Sequence, residues 1–142
     1  MTQQQIDLIK SSWAGVAKKD HTAVGQLFYN RLFEIAPETK SLFGVTVDMQ
    51  SDKLGLMLSY IINKLDKLDD ILDEVVKLAK AHASYGVRPE HYALGGDIFL
   101  WSLEKLFDKD WTDELKQAWT DCYVTLTTAM IDAADYAKAN AA

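Results

Sequence analysis

The sequence predicts an all-α chain, and three observations carry that expectation. Apolar residues recur at three- and four-residue spacing almost from end to end, which is the signature of helices with one buried face. Only two prolines and seven glycines interrupt the pattern. No stretch alternates apolar and polar residues as a half-buried strand would. At 142 residues the chain falls in the range of one domain, residues 1–142, with one core built around one site. With 49% apolar and 25% charged residues it has the composition of a chain that folds on its own rather than of a disordered one.

Each helix follows from local signals. Thr2 and Gln5 have the spacing of a capping box, after which Ile6, Ile9 and Trp13 share one face of a first helix that should end near Lys19. A second helix should start near His21, carry Val24, Phe28, Leu32 and Ile35 as its stripe, and stop at Pro37. From Pro37 to Asp48 the period breaks and a loop is expected. Leu42 and Phe43 nevertheless have the character of a buried pair, which suggests something large to pack against. A third helix carries Leu54, Met57, Leu58, Ile61 and Leu65, and a fourth Leu72, Val75, Ala79 and His82. Pro89 suits the first position of the next helix, where its missing N–H costs nothing. That helix should run to about Phe107, and Thr112 is a plausible N-cap for a last long helix reaching about Ala137. A glycine inside a helix costs ~1 kcal/mol against alanine, so Gly25 marks either a close crossing by another backbone or a tolerated surface position. Such helices can form an up-down bundle or pack at crossed angles.

Charge and cysteine content exclude several functions. A net charge of -6 leaves no basic face for nucleic acid or an anionic membrane surface. No apolar run approaches the ~20 residues of a membrane span, and the N-terminus lacks a basic stretch followed by an apolar one, so a cytoplasmic location is expected. Cys122 is the only cysteine, which rules out an internal disulfide or a thiolate zinc cluster and leaves a buried structural thiol. His21, His82 and His91 are the only histidines, and no two have the spacing that places paired imidazoles on one helical face. There is no phosphate-binding glycine loop and no nucleophile-elbow serine.

His82 extends the stripe of Leu72, Val75 and Ala79, so its polar ring faces the interior and needs a partner. Alone, it reads as a satisfied core histidine or as a metal ligand. Gln50 lies one turn before Leu54 on its own stripe, and Tyr29 one turn after Gly25. Each has an ordinary explanation, Tyr29 as a core aromatic and Gln50 as a solvated residue near a helix start. Together, three hydrogen-bonding side chains converge on an apolar interior from three helices, as a haem site requires: one neutral imidazole, an apolar slot, and donors on the opposite side.

Over nearly its whole length the chain resembles the globin family, specifically single-domain bacterial-type globins related to the haem domain of flavohaemoglobins. The likeness rests on Leu27-Phe28-Tyr29-Asn30-Arg31-Leu32-Phe33, on Pro37 and Leu42-Phe43, on Lys80-Ala81-His82-Ala83-Ser84-Tyr85-Gly86-Val87 followed by His91-Tyr92, and on Ala118-Trp119 with Tyr123. The resemblance implies a globin fold of six to eight helices around a haem b pocket. It makes His82 the proximal iron ligand, Phe43 the aromatic on the haem face, and Val87 the valine at the haem edge. Gln50 becomes the distal residue, Tyr29 the distal tyrosine, Lys53 the basic residue near a propionate, and Leu54 the apolar residue beside the gas ligand. Two departures stand out. Tyr92 matches the proximal tyrosine of flavohaemoglobins, but Ala134 stands where that branch has a glutamate hydrogen-bonded to the proximal pair. The flavin and nicotinamide domains also have no counterpart in these residues. Reversible binding of O2, and of CO and NO, is therefore the expected function. Nitric-oxide dioxygenase or weak peroxidase activity with a separate reductase is the alternative, and a haem-free helical interaction module a third possibility.

Overall fold

In a computed structural model the backbone is described for residues 1–141 and the side chains for residues 1–134. The α-helices are α1 (Gln3–Asp20), α2 (Ala23–Ile35), α3 (Val47–Asn63), α4 (Leu72–Ser84), α5 (Pro89–Phe107) and α6 (Asp113–Ala141). Short 3-10 segments at Pro37–Leu42, Leu65–Ile71 and Asp108–Asp110 turn the chain between them, and no strand occurs among the described residues. The predicted caps form. Thr2 accepts from the Gln5 amide at 3.1 Å while the Gln5 side chain accepts from the Thr2 amide at 3.0 Å. Thr112 accepts from the Leu115 amide at 3.1 Å, and Pro89 opens α5. The segment after Pro37, expected as a loop, is instead a 3-10 turn, because proline presets the first residue of a tight helical turn.

Three apolar clusters hold the helices at crossed angles. The largest joins Ile6, Ile9 and Trp13 of α1 to Leu103 of α5 and to Leu115, Ala118, Trp119 and Cys122 of α6. Within it the indoles of Trp13 and Trp119 meet edge to face at 6.4 Å, and each N–H finds a serine, Ser59 at 2.9 Å and Ser12 at 3.2 Å. A second cluster joins Ile61 and Ile71 to Val75, Ala79 and Met130. A third gathers Tyr29, Leu32 and Ile98 with Phe33, Phe43, Val47, Leu54 and Leu94 around the site discussed below. Burial pushes the Cys122 thiol up to about 12, in keeping with an inert structural cysteine.

Three expected core residues lie at the surface instead: Ile35 at 49% exposure, Met57 at 37% and Leu72 at 49%. Ile35 and Leu72 stand at helix ends. There the chain turns into a 3-10 segment, and the neighbouring Ala36 and Ile71 take the buried places. Among the described residues no helix is long and apolar enough to cross a membrane.

The crossing of α2 over α3 sets the layout. A Cβ on Gly25 would stand 2.6 Å from the Ser51 Cα, and one on Gly55 would run into the His21 carbonyl, so glycine is used on both helices where backbones touch. Gly25 therefore marks a close crossing and not a surface position. Around it, the Gln26 amide donates to Asp48 at 2.7 Å and the His21 ring pairs with Asp52 at 2.7 Å.

Gly25→Ala should therefore destabilise the protein despite the better helix propensity of alanine. The gain is ~1 kcal/mol. The obstacle is backbone, which cannot rotate away, and overpacking costs about 1–3 kcal/mol. Thermal unfolding should show a lowered Tm; an unchanged or raised Tm would contradict the close crossing.

Candidate functional site

The α2–α3 crossing brings two polar side chains together. Tyr29 is one turn beyond Gly25 on α2, and Gln50 directly precedes Ser51 on α3. Their side chains meet, the Gln50 amide nitrogen donating to the Tyr29 hydroxyl oxygen at 3.4 Å. Because that oxygen receives the bond, the phenolic hydrogen is left free to donate elsewhere. The Tyr29 ring is otherwise caged by aromatics: Phe28 at 5.0 Å and Phe43 at 5.3 Å, both edge to face, and Phe33 at 6.2 Å. Burial raises its pKa above the ordinary phenol value, with the Gln50 bond opposing the shift, so Tyr29 remains a neutral donor through the physiological range.

Phe43 follows the 3-10 turn after Pro37 and also meets Phe33 at 5.5 Å. Leu54, one turn beyond Gln50, joins the same cluster and is half-buried. Leu94 and Ile98 of α5 close it, and α5 also reaches the other half of the site. Tyr92, half a turn before Leu94, lies with its ring 6.3 Å from the His82 imidazole and inclined by 23°. Burial raises the Tyr92 pKa as well.

His82 is half-buried in the last turn of α4, and its Nδ1 lies 2.8 Å from the Leu78 carbonyl. A carbonyl can only accept, so Nδ1 carries a proton, and in the neutral ring the lone pair lies on Nε2. Nε2 has no hydrogen-bond partner among the described residues. The link after α4 is tied back to it, with the Val87 amide donating to the His82 carbonyl at 3.0 Å, and Gly86 turns at φ 93° beside Leu42. Val87 itself is half-buried, and Lys53 is exposed on α3.

The structure thus joins Tyr29, Gln50, Phe43 and Leu54 in one group and His82, Tyr92 and Val87 in another, with α5 spanning both. Lys53 stands outside these contacts. The donor set fits haem: an imidazole whose free nitrogen is the unprotonated one, an apolar aromatic slab, and a phenol donor on a different helix. Among the described residues no group of three or more His, Cys, Asp and Glu could hold a bare metal ion instead. The residues that pattern reading missed are Phe33, Leu94, Ile98 and the Leu78 carbonyl. Phe33 follows Tyr29 by four residues and Leu78 precedes His82 by four, so the helical period contained a signal for both.

A globin family model matches residues 26–130. Curated relatives include the flavohemoprotein of Vibrio cholerae, 31% identical over 93% of this chain and 34% of that protein. The neuroglobin of Tetraodon nigroviridis is 28% identical over 92% of this chain and 90% of its own length. The chain therefore spans about a third of the flavohemoprotein and most of the neuroglobin. Among solved structures, an engineered carbene transferase from Rhodothermus marinus superposes with a TM-score of 0.89 at 25% identity, covering 98% of this chain and 96% of that one. A bacterial globin from Campylobacter jejuni gives 0.86 at 24%, covering 96% and 99%.

The buried Tyr29 phenol has a measurable signature. Its folded pKa lies above the ordinary 10, so the native state keeps a proton that the unfolded chain releases, and its contribution to stability is complete below pH 10 and lost as pH rises beyond it. Alkaline spectrophotometric titration of Tyr29→Phe should show one phenol fewer in the late-ionising fraction, and a shallower loss of stability with rising pH. Removal of an early-ionising phenol would mean that Tyr29 is solvated.

Proposed function

The chain belongs to the globin family, and we propose that it binds O2 and other diatomic gases reversibly at a haem b held by His82. The observation that carries this reading is the His82 ring, whose Nδ1–H is committed to the Leu78 carbonyl, leaving Nε2 as a free ligand atom in a half-buried setting. Haem bound there supplies an iron that this nitrogen can ligate and one further coordination position for a gas molecule. The Leu78 bond selects the tautomer and holds the ring in place. Phe43 and Leu54 provide the apolar faces that exclude water, and Val87 and Lys53 serve at the haem edge and near a propionate. Gln50 orients the Tyr29 hydroxyl and leaves its hydrogen available to a polarised gas ligand. A hydrogen bond to a charged acceptor is worth ~1.5–3 kcal/mol, about one to two decades in dissociation rate, so slow O2 release follows.

A second reading, redox turnover as a nitric-oxide dioxygenase or weak peroxidase served by a separate reductase, is favoured by the Tyr92 ring set against His82 and by the flavohemoprotein relatives. Against it, Ala134 offers His82 and Tyr92 no carboxylate with which to increase electron donation.

Haem retention and the Soret spectrum test the assignment. His82→Ala should lose tightly held haem, whereas His21→Ala and His91→Ala should keep it, since His21 is tied to Asp52 and the His91 Nδ1 accepts from the Arg88 amide at 2.9 Å. Normal retention by His82→Ala in imidazole-free buffer would overturn the proximal role. Residues 48–65 contain no histidine, so the ferrous protein without gas should be five-coordinate, and a low-spin six-coordinate spectrum would count against an open site.

The distal side has its own test. Tyr29→Phe should speed O2 dissociation by about one to two decades while changing CO dissociation much less, because CO is the poorer acceptor. Gln50→Leu should act in the same direction and more weakly. Equal O2 off-rates in all three proteins would exclude the distal pair.

A further inference from the structure

Beside the α5–α6 corner opens a cleft of about 830 Å³ that shares no residue with the group around Tyr29 or with the one around His82. One wall is α1, which lines it from Leu8 to Asp20, a run of about 18 Å at ~1.5 Å per residue. Phe107 of α5 and Leu115 of α6 form the other wall. A volume of this size is that of a small-molecule site, whereas gaps left by imperfect packing are far smaller.

Gly15 keeps the cleft open. A glycine inside a helix weakens it, and at Gly25, Gly55 and Gly96 another part of the chain comes so near that a Cβ would collide with it. At Gly15 a Cβ would meet nothing within 4 Å, so no contact of the chain with itself calls for glycine there. The missing side chain leaves floor space in the cleft instead.

The polar groups around the cleft accept more than they donate. The Ser11 and Ser12 hydroxyls give their hydrogens to the Leu8 and Ile9 carbonyls at 3.3 and 3.1 Å, and the Ser12 oxygen also takes the Trp119 N–H. Lys19 and the Thr112 hydroxyl are the lining side chains with a hydrogen left to give. Against them stand three carboxylates, Asp20, Asp110 and Glu114. Two of these mark the ends of α1: Asp20 closes the helix, and Glu114 is held beside its first turn by the Gln4 side-chain amide at 3.1 Å. One Asp20 oxygen takes the Thr22 amide and hydroxyl at 2.9 and 2.6 Å. The second oxygen of Asp20, like that of Glu114, has no hydrogen-bond partner among the described residues.

We propose that this cleft binds an amphipathic organic cation, an ammonium group carried on an elongated apolar body. The apolar body lies over Gly15 between α1 and the Phe107–Leu115 wall, where burial of its methylene groups supplies the affinity. The ammonium reaches the carboxylate rim and donates to the unpartnered oxygens. Charge sets the specificity, because an anion of the same shape meets three carboxylates and a neutral molecule gains nothing from them. The net charge of -6 acts in the same direction at longer range.

Octylammonium, octan-1-ol and octanoate share one chain and differ in charge, which makes them the probes. Each should be titrated into the isotope-labelled full chain, with amide chemical shifts and the Soret band followed together. Octylammonium should bind saturably, shift the amides of Gly15, Val16 and Leu115, and bind about tenfold more tightly than octanoate, with octanol between them. Gly15→Leu should fill the floor and abolish saturable binding while raising the Tm, since leucine is the better helix former and the space is free. Glu114→Gln should narrow the preference for octylammonium over octanol and leave octanol binding in place. Octanol or octanoate bound as tightly as octylammonium, or a Gly15→Leu variant that binds like the parent, would overturn the proposal. So would shifts centred on Tyr29, Gln50 and His82 or a displaced Soret band, which would put the amine in the other pocket. The roles of His82 and Tyr29 stand or fall on their own tests.

Discussion

The close approach of α2 to α3 at Gly25 and Ser51 is the constraint on which the rest of the site depends. Two helix backbones can come this near only where one side lacks a Cβ, and the gap left at Gly25 is filled by the Ser51 Cα and side chain. Once that contact is made, the helical repeat places Tyr29 and Gln50 at the same level on facing helices, within 3.4 Å of each other. A wider crossing would leave the two groups in separate surroundings, each seeking its own partner. Ser51 bears the cost of this proximity, being fully buried with its hydroxyl lacking a hydrogen-bond partner.

The opposite side is organised by α5. This helix starts at Pro89, sends Tyr92 towards His82, and within two turns contributes Leu94 and Ile98 to the cluster around Tyr29. The two polar centres therefore share one rigid wall. The Leu78 carbonyl contributes local precision, because a hydrogen bond within the same helix orients the imidazole without help from a distant residue. The acceptor that His82 meets is thus a neutral carbonyl one turn back on its own helix.

The same aromatic residues that stabilise the main core also tie three helices to one another. Trp119 lies at the junction, touching Trp13, Phe99 and Phe107, and its contacts reach from the α5–α6 corner towards Tyr123 and Tyr92. Packing alone accounts for large rings in a core. Their meeting across α1, α5 and α6 is a property of the assembled fold, and no single helix displays it.

The sequence by itself determined the six α-helices, where α1, α5 and α6 begin, and that His82, Tyr29 and Gln50 stand out as polar groups on apolar stripes, though not the 3-10 turns between them. These are local matters: caps, prolines and a 3.6-residue period act within one or two turns. The same local reading placed Ile35 and Leu72 inside, because periodicity shows a face but not whether a neighbouring helix extends far enough to cover it. Only the tertiary structure decided that Tyr29 and Gln50 touch, that Phe33, Leu94 and Ile98 complete their cage, and that Lys53 stands apart. Those outcomes depend on crossing angles and on which backbones come into contact. Such quantities are set jointly by residues far apart in the chain.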